Sequence, residues 1–110
     1  MKHDVIDKGT ALVISFDGDV DLATSPAARK VLLDCVGRKR PVLVDLSRVK
    51  YIDSSGVAAL VESLQTARKS GSTLALAAVS EATLRVLQLA RLDKVFSIHA
   101  SVEDGLAKAG

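Results

Sequence analysis

Aromatic side chains are almost missing from this chain. They make up 3% of its residues, Trp is absent, and Phe16, Tyr51 and Phe96 are the whole set. Stacking platforms for bases or sugars are therefore excluded, which weighs against single-stranded nucleic-acid binding. The core has to be built from Val, Leu, Ile and Ala. Cysteine is equally scarce: Cys35 stands alone, so no disulfide can form within the chain, as suits a reducing compartment. It falls on the apolar face of a predicted helix and reads as a small buried hydrophobe. The histidines are His3, near the start, and His99, just beyond the last predicted strand. No metal-ligand spacing and no phosphate-cradling Gly-rich loop accompany them. A hydrolase needs an activated nucleophile with a base in reach, and nothing here provides one. The chain is expected to be no enzyme and to need no cofactor or metal.

Charge of one sign is lacking too. The net charge is +2, too small to imply a polyanionic partner, and the one basic cluster, Arg38-Lys39-Arg40, falls short of the many phosphate contacts duplex binding needs. It reads as a solvated loop, with its cations near a helix C-terminus where the macrodipole favours them. No run is long enough to span a bilayer, and Met1-Lys2-His3-Asp4 does not resemble a signal peptide. A cytoplasmic location without membrane insertion is expected.

What is present is an alternating pattern of apolar segments. The 110 residues, 48% hydrophobic and 25% charged, fit one domain over 1–110 and leave no room for a second core. Val5-Ile6 form a short strand, with Gly9 marking a turn. From Thr10 to Asp17, Leu12, Ile14 and Phe16 alternate with Ala11, Val13 and Ser15, so this strand is covered on much of both faces. Ser25 is the expected N-cap of a first helix with Pro26 at its first position. Ala28, Val31, Leu32, Cys35 and Val36 recur at helical spacing up to Gly37. Val42–Leu46 reads as a central strand. Val57, Leu60, Val61 and Leu64 mark the apolar stripe of a second helix, ended by Gly71. Leu74–Val79 follows as a strand, then Ser80 caps a helix carrying Leu84, Leu87 and Ala90. Val95–Ile98 is the last strand, and Ser101 caps a short terminal helix through Leu106.

This order predicts an α/β domain: a mostly parallel β-sheet with an N-terminal antiparallel strand, about four helices and right-handed crossovers. In such sheets ligands and partners are met at the carboxyl ends of the strands. Two polar clusters fall there, Gly18-Asp19-Val20-Asp21 and Tyr51-Ile52-Asp53-Ser54-Ser55-Gly56. If the strands before them are neighbours, Asp21 and Asp53 lie close together, with Ser54 at a helix start. The ordinary reading of Ser54 or Ser55 is a helix cap, and that of Asp19 and Asp21 is a turn carboxylate. Gly56 is costlier to explain, because Gly in a helix forfeits up to about 1 kcal/mol. Its use is to let another backbone, or a partner, come close.

Three segments taken together resemble the STAS domain family, specifically anti-sigma factor antagonists. Asp53-Ser54-Ser55-Gly56-Val57-Ala58-Ala59-Leu60 is similar to the family's D-S-[ST]-G signature and the small-residue helix after it. Gly18-Asp19-Val20-Asp21 is similar to its G-[ED]-[LV]-D segment. Val86–Phe96, ending Leu92-Asp93-Lys94-Val95-Phe96, is similar to the stretch between its third helix and last strand. One departure is Ala90-Arg91, where many relatives carry a Ser/Thr-Gly pair. The resemblance implies phosphorylation at Ser54 by an anti-sigma factor serine kinase, reset by a cognate serine phosphatase. It also implies a partner-binding surface of Asp19, Asp21, Asp53, Ser55 and Gly56.

Other readings stand beside this one. Small STAS subunits also bind the ATPase of phospholipid-transporting ABC systems, often with Thr at the acceptor position, so Ser54 tilts the balance towards the sigma-factor switch. A phospho-aspartate receiver would use Asp53 as acceptor and Asp21 as a metal ligand. Receivers, however, place a Lys after the last strand, whereas Lys94 precedes it here, and the opening hairpin does not suit their repeated units.

Overall fold

The alternating apolar pattern folds as one five-stranded sheet whose spatial order follows the chain. The computed structural model describes residues 1–109. Strands β1 (Lys2–Asp7) and β2 (Leu12–Asp17) form an antiparallel hairpin. Strands β3 (Val42–Arg48), β4 (Leu74–Ala77) and β5 (Ser97–His99) add in parallel. Helices α1 (Ser25–Val36), α2 (Ser54–Lys69) and α3 (Glu81–Leu89) are the crossovers. Right-handed crossovers that always step in one direction lay these three helices on the same face. Residue alternation then sorts the core. Leu12, Ile14, Phe16, Val44, Leu46 and Leu76 pack with Leu32, Leu60, Leu64 and Leu87 of these helices. Val13, Leu43 and Ala77 turn to the other face, where α4 (Val102–Ala109) covers them with Val102 and Leu106. Cys35 is fully buried in the larger cluster, and burial pushes its thiol pKa up.

The element boundaries depart from the sequence reading at several points. Strand β1 is longer than Val5-Ile6, because hairpin pairing with β2 recruits polar neighbours on both sides. Strand β4 stops at Ala77, before Val79. Ala78 there takes a positive φ of 55° while its N–H donates to His99. Strand β5 begins at Ser97, not Val95, and the buried Phe96 is core filler ahead of the ladder. Thr24, not Ser25, occupies the N-cap position of α1; Ser25 opens the helix and Pro26 follows it. Helix α3 ends at Leu89, so Ala90 lies beyond it. Arg91 then adopts φ 60°, in the left-handed region that favours Gly.

Ser80 and Ser101 do cap as expected, accepting N–H bonds from Thr83 and Asp104. The basic cluster is solvated, with Arg38 and Lys39 exposed and Arg40 half-buried, and its two arginines are paired. Arg38 pairs with Asp34 at 2.9 Å, and both terminal nitrogens of Arg40 reach Asp7 at 2.7 Å. The guanidinium of Arg40 holds the Asp7 carboxyl well below the usual range, helped by the Gly9 N–H.

Candidate functional site

Beyond the carboxyl ends of β2 and β3 the two chain segments stay zipped together. The β2–β3 register shifts after Ser15, and the strands then rejoin at an isolated parallel bridge between Val20 and Ile52. Val20 N–H donates to Tyr51 C=O and Asp53 N–H donates to Val20 C=O, both at 3.1 Å. Val20 and Ile52 are buried, so hydrophobic packing anchors the bridge. It brings the loops that carry Asp19, Asp21 and Asp53 side by side, as the topology predicted.

Asp53 is the N-cap of α2, which corrects the expectation that Ser54 or Ser55 caps it. One carboxylate oxygen accepts from Ser55 N–H at 2.9 Å and from Gly56 N–H at 3.1 Å. The other oxygen crosses to the first loop and accepts Leu22 N–H at 3.1 Å. Two amides that a helix start would leave unpaired are thereby satisfied, and the two loops are tied by the same group. Asp21 is similarly engaged in its own turn. Its carboxylate accepts N–H bonds from Ala23 and Thr24, and its N–H donates to the Thr24 hydroxyl at 2.9 Å. The Thr24 N–H and hydroxyl, then Ala23 N–H, hold the Asp21 carboxyl below the ordinary range. Asp19 is exposed, and its backbone carbonyl lies 3.0 Å from the Thr24 hydroxyl.

Ser54 is exposed as the first residue of α2, and among the described residues its hydroxyl makes no hydrogen bond. Ser55 is half-buried and faces α1 across a shallow groove of about 310 Å³, where Ser25 and Pro26 lie opposite Ala58. Arg29 of α1 and Glu62 of α2 close that groove with an ion pair at 2.6 Å. Gly56 is buried, and a Cβ there would come within 2.5 Å of Ile52 and 2.9 Å of the Val20 carbonyl. Of the two uses foreseen for it, the structure displays the first: the backbone it admits is the chain's own.

Sequence reasoning missed three things. Leu22 is 76% exposed and Tyr51 51% exposed beside the zipped loops, and a leucine in a polar loop carries no periodic signal to rank its exposure. The Arg29–Glu62 pair joins helices far apart in sequence, so no local pattern announces it. The linkage from Asp53 to Leu22 depends on the bridge and is invisible before the fold is known.

Chemically, the site offers an accessible hydroxyl among carboxylates. The half-buried His99 lies on β5 and the exposed His3 on β1, and neither makes a side-chain hydrogen bond to the site among the described residues. Among the described residues no group of three His, Cys, Asp or Glu is placed to hold a metal. A cavity of about 410 Å³ exists elsewhere, by the amino ends of β3 and β4, lined by Leu43, His99, Gly105 and Lys108.

Residues 3–105 match the STAS domain family. The chain belongs to the STAS domain family. This STAS domain is 30% identical over 105 residues to the anti-sigma-F factor antagonist RsfB of Mycobacterium tuberculosis, covering 93% of this chain and 84% of that one. It is 25% identical over 103 residues to the anti-sigma-B factor antagonist of Bacillus subtilis, covering 94% of each. The crystal structure of an anti-sigma factor antagonist from Mycobacterium paratuberculosis superimposes with a TM-score of 0.89 at 27% identity, over 98% of this chain and 92% of that one. These relatives are named for antagonism of another protein, not for a reaction. No helix of this STAS domain is long and apolar enough to cross a membrane among the described residues.

Proposed function

We propose that this STAS domain is an anti-sigma factor antagonist switched at Ser54. Unphosphorylated, it binds an anti-sigma factor that is a serine kinase, and so frees a sigma factor. Phosphorylation of Ser54 by that kinase ends the association, and a cognate serine phosphatase restores it. The observation that carries the reading is the exposed Ser54 hydroxyl at a helix start whose cap is supplied by Asp53. An ordinary capping serine is occupied by its own helix; this one is free for an incoming enzyme.

The physics of the off state supports the same reading. A phosphoryl group adds about −1.5 to −2 charges and three acceptor oxygens. Helix N-termini usually welcome an anion through open N–H groups, but Asp53 already accepts those of Ser55 and Gly56. The new charge then stands in solvent near Asp19, Asp21 and Asp53, on the face where Leu22 and Tyr51 offer apolar anchors to a partner. Association weakens without refolding. Asp19 and Asp21 set the electrostatics of this surface, while Asp53, Ser55 and Gly56 shape it.

Affinity capture from the source cells, comparing wild type with Ser54→Asp by mass spectrometry, tests the proposal. Wild type is expected to retain a serine-kinase anti-sigma factor that the variant loses. Recovery of an ABC ATPase with membrane subunits instead would overturn the switch and assign the domain to lipid transport.

A further inference from the structure

Strand β1 lies at one edge of the sheet, and its unpaired side has a definite identity. The hairpin ends with Lys8 N–H donating to Ala11 C=O at 2.9 Å. In an antiparallel ladder the N–H and C=O of one residue point together to one side, alternating along the strand. Lys2, Asp4 and Ile6 therefore bond towards β2, and the backbone groups of His3, Val5 and Asp7 point away from it. Among the described residues these outward groups have no backbone partner.

Natural edges are usually blunted by Pro, bulges or charged side chains. Strand β1 has no Pro, its register with β2 runs without a bulge from Lys2 to Asp7, and its charges are Lys2 and Asp7 at the ends with Asp4 between them. The residues that follow Asp4 are Val5 and Ile6, 38% and 44% exposed on opposite faces. All of β1 is exposed, and a groove of about 550 Å³ separates its His3 and Val5 from Lys30 and Val31 of α1.

We propose that β1 is a self-pairing edge that joins two copies of this chain through an antiparallel Val5–Val5 register. A two-fold axis normal to the sheet keeps both faces in place, so only residues of the same facing can meet. Centring the axis on Asp4 sets two carboxylates opposite each other in a close, non-hydrogen-bonded pair, which is destabilising. Centring it on Ile6 leaves the His3 backbone without a partner. Centring it on Val5 satisfies every outward group: Val5 meets Val5, and His3 meets Asp7 on both sides. Asp4 then faces Ile6, and the like charges of Lys2 and Lys8 fall opposite each other only at the exposed outer ends, away from the axis. The closed two-fold contact is self-complementary, and main-chain bonds supply it as in other strand additions. Ser54, at the start of α2, is not part of the edge, so pairing and the proposed switch are independent.

Sedimentation equilibrium from about 10 μM to about 1 mM, the range of small weak interfaces, is the test. Wild type and Ser54→Asp are both expected to show a reversible monomer–dimer equilibrium. Val5→Pro removes only an outward donor, a change an edge strand tolerates, and is expected to be monomeric with an unchanged circular dichroism spectrum. Val5→Lys, which opposes two ammonium groups at the axis, serves if the proline variant does not fold, and is also expected to be monomeric. A wild type that stays monomeric throughout the range overturns the proposal, as does a dimer retained by either folded variant.

Discussion

Asp53 does more for this site than any other single side chain, because its two oxygens hold three amides on two segments. Removing it unpairs Ser55 and Gly56 at the head of α2 and releases Leu22. Asp53→Ala is predicted to lower stability by about 1–2 kcal/mol, the upper range for a lost N-cap, as measured by urea unfolding. A change within a few tenths of a kcal/mol would show that water replaces the carboxylate without loss. The capping role was only half legible in the sequence. Ser and Asp are both favoured N-caps, and Asp53, Ser54 and Ser55 stand in a row, so local preference could not choose among them. What chooses is the Val20–Ile52 bridge, a contact between segments more than thirty residues apart. Asp21 was readable as a turn carboxylate from its own neighbourhood, and that is how it is bonded.

At the scale of elements, two helices approach the sheet through glycine, and the two approaches differ in what they touch. A Cβ on Gly56 of α2 would meet the Val20 carbonyl, which is backbone fixed by the bridge, besides Ile52 and Val20 side chains. A Cβ on Gly105 of α4 would meet the ends of the Leu43 side chain at 2.7 Å, which can rotate away. Overpacking costs about 1–3 kcal/mol, while replacing a helical Gly by Ala returns up to about 1. Gly56→Ala is therefore predicted to destabilise by about 1–2 kcal/mol and Gly105→Ala to be near neutral, as thermal or chemical unfolding will measure. Equal effects would contradict the distinction.

The first hairpin supplies a test by pH. Arg40, just before β3, holds Asp7 at the end of β1, and the folded carboxyl is shifted down. A depressed carboxylate contributes stability that is present above its unfolded pKa of about 3.9 and is lost as pH falls towards the folded value. Stability should thus decline below about pH 4, with Asp21 adding to the same limb. Arg40→Met is predicted to flatten that decline and to change little at neutral pH, since the pair is solvent-exposed and screened. A decline as steep as that of wild type would assign the acid limb to other groups. Helix cores were well marked in the sequence by their three-four spacing, whereas strand ends were not. Leu74–Val79 is apolar throughout, so composition could not place the end of β4 at Ala77, where the backbone of Ala78 turns to positive φ.

Across the whole molecule, the fold puts its helices, its bridge and its exposed hydroxyl in one consistent arrangement. Alternation of strands and helices foretold the parallel sheet, and neighbouring strands foretold the meeting of Asp21 and Asp53 loops. The packing of α1, α2 and α3 on one face follows from crossovers that always step the same way. Exposure was the part that sequence could not rank: Leu22 and Leu32 are the same residue type, one in solvent and the other in the core. The proposed switch depends on exposure, since a kinase must reach Ser54 and a partner must rest on the surface around it. Because the cap is Asp53, a phosphoryl group added in the proposed switch is predicted to leave the fold in place and to change only what that surface can bind.

Titration calorimetry with stoichiometrically phosphorylated and unmodified protein against the captured serine-kinase anti-sigma factor measures this directly. The phosphorylated form is predicted to bind at least about tenfold more weakly, a loss of about 1.4 kcal/mol or more. Equal affinity of the two forms would contradict the account.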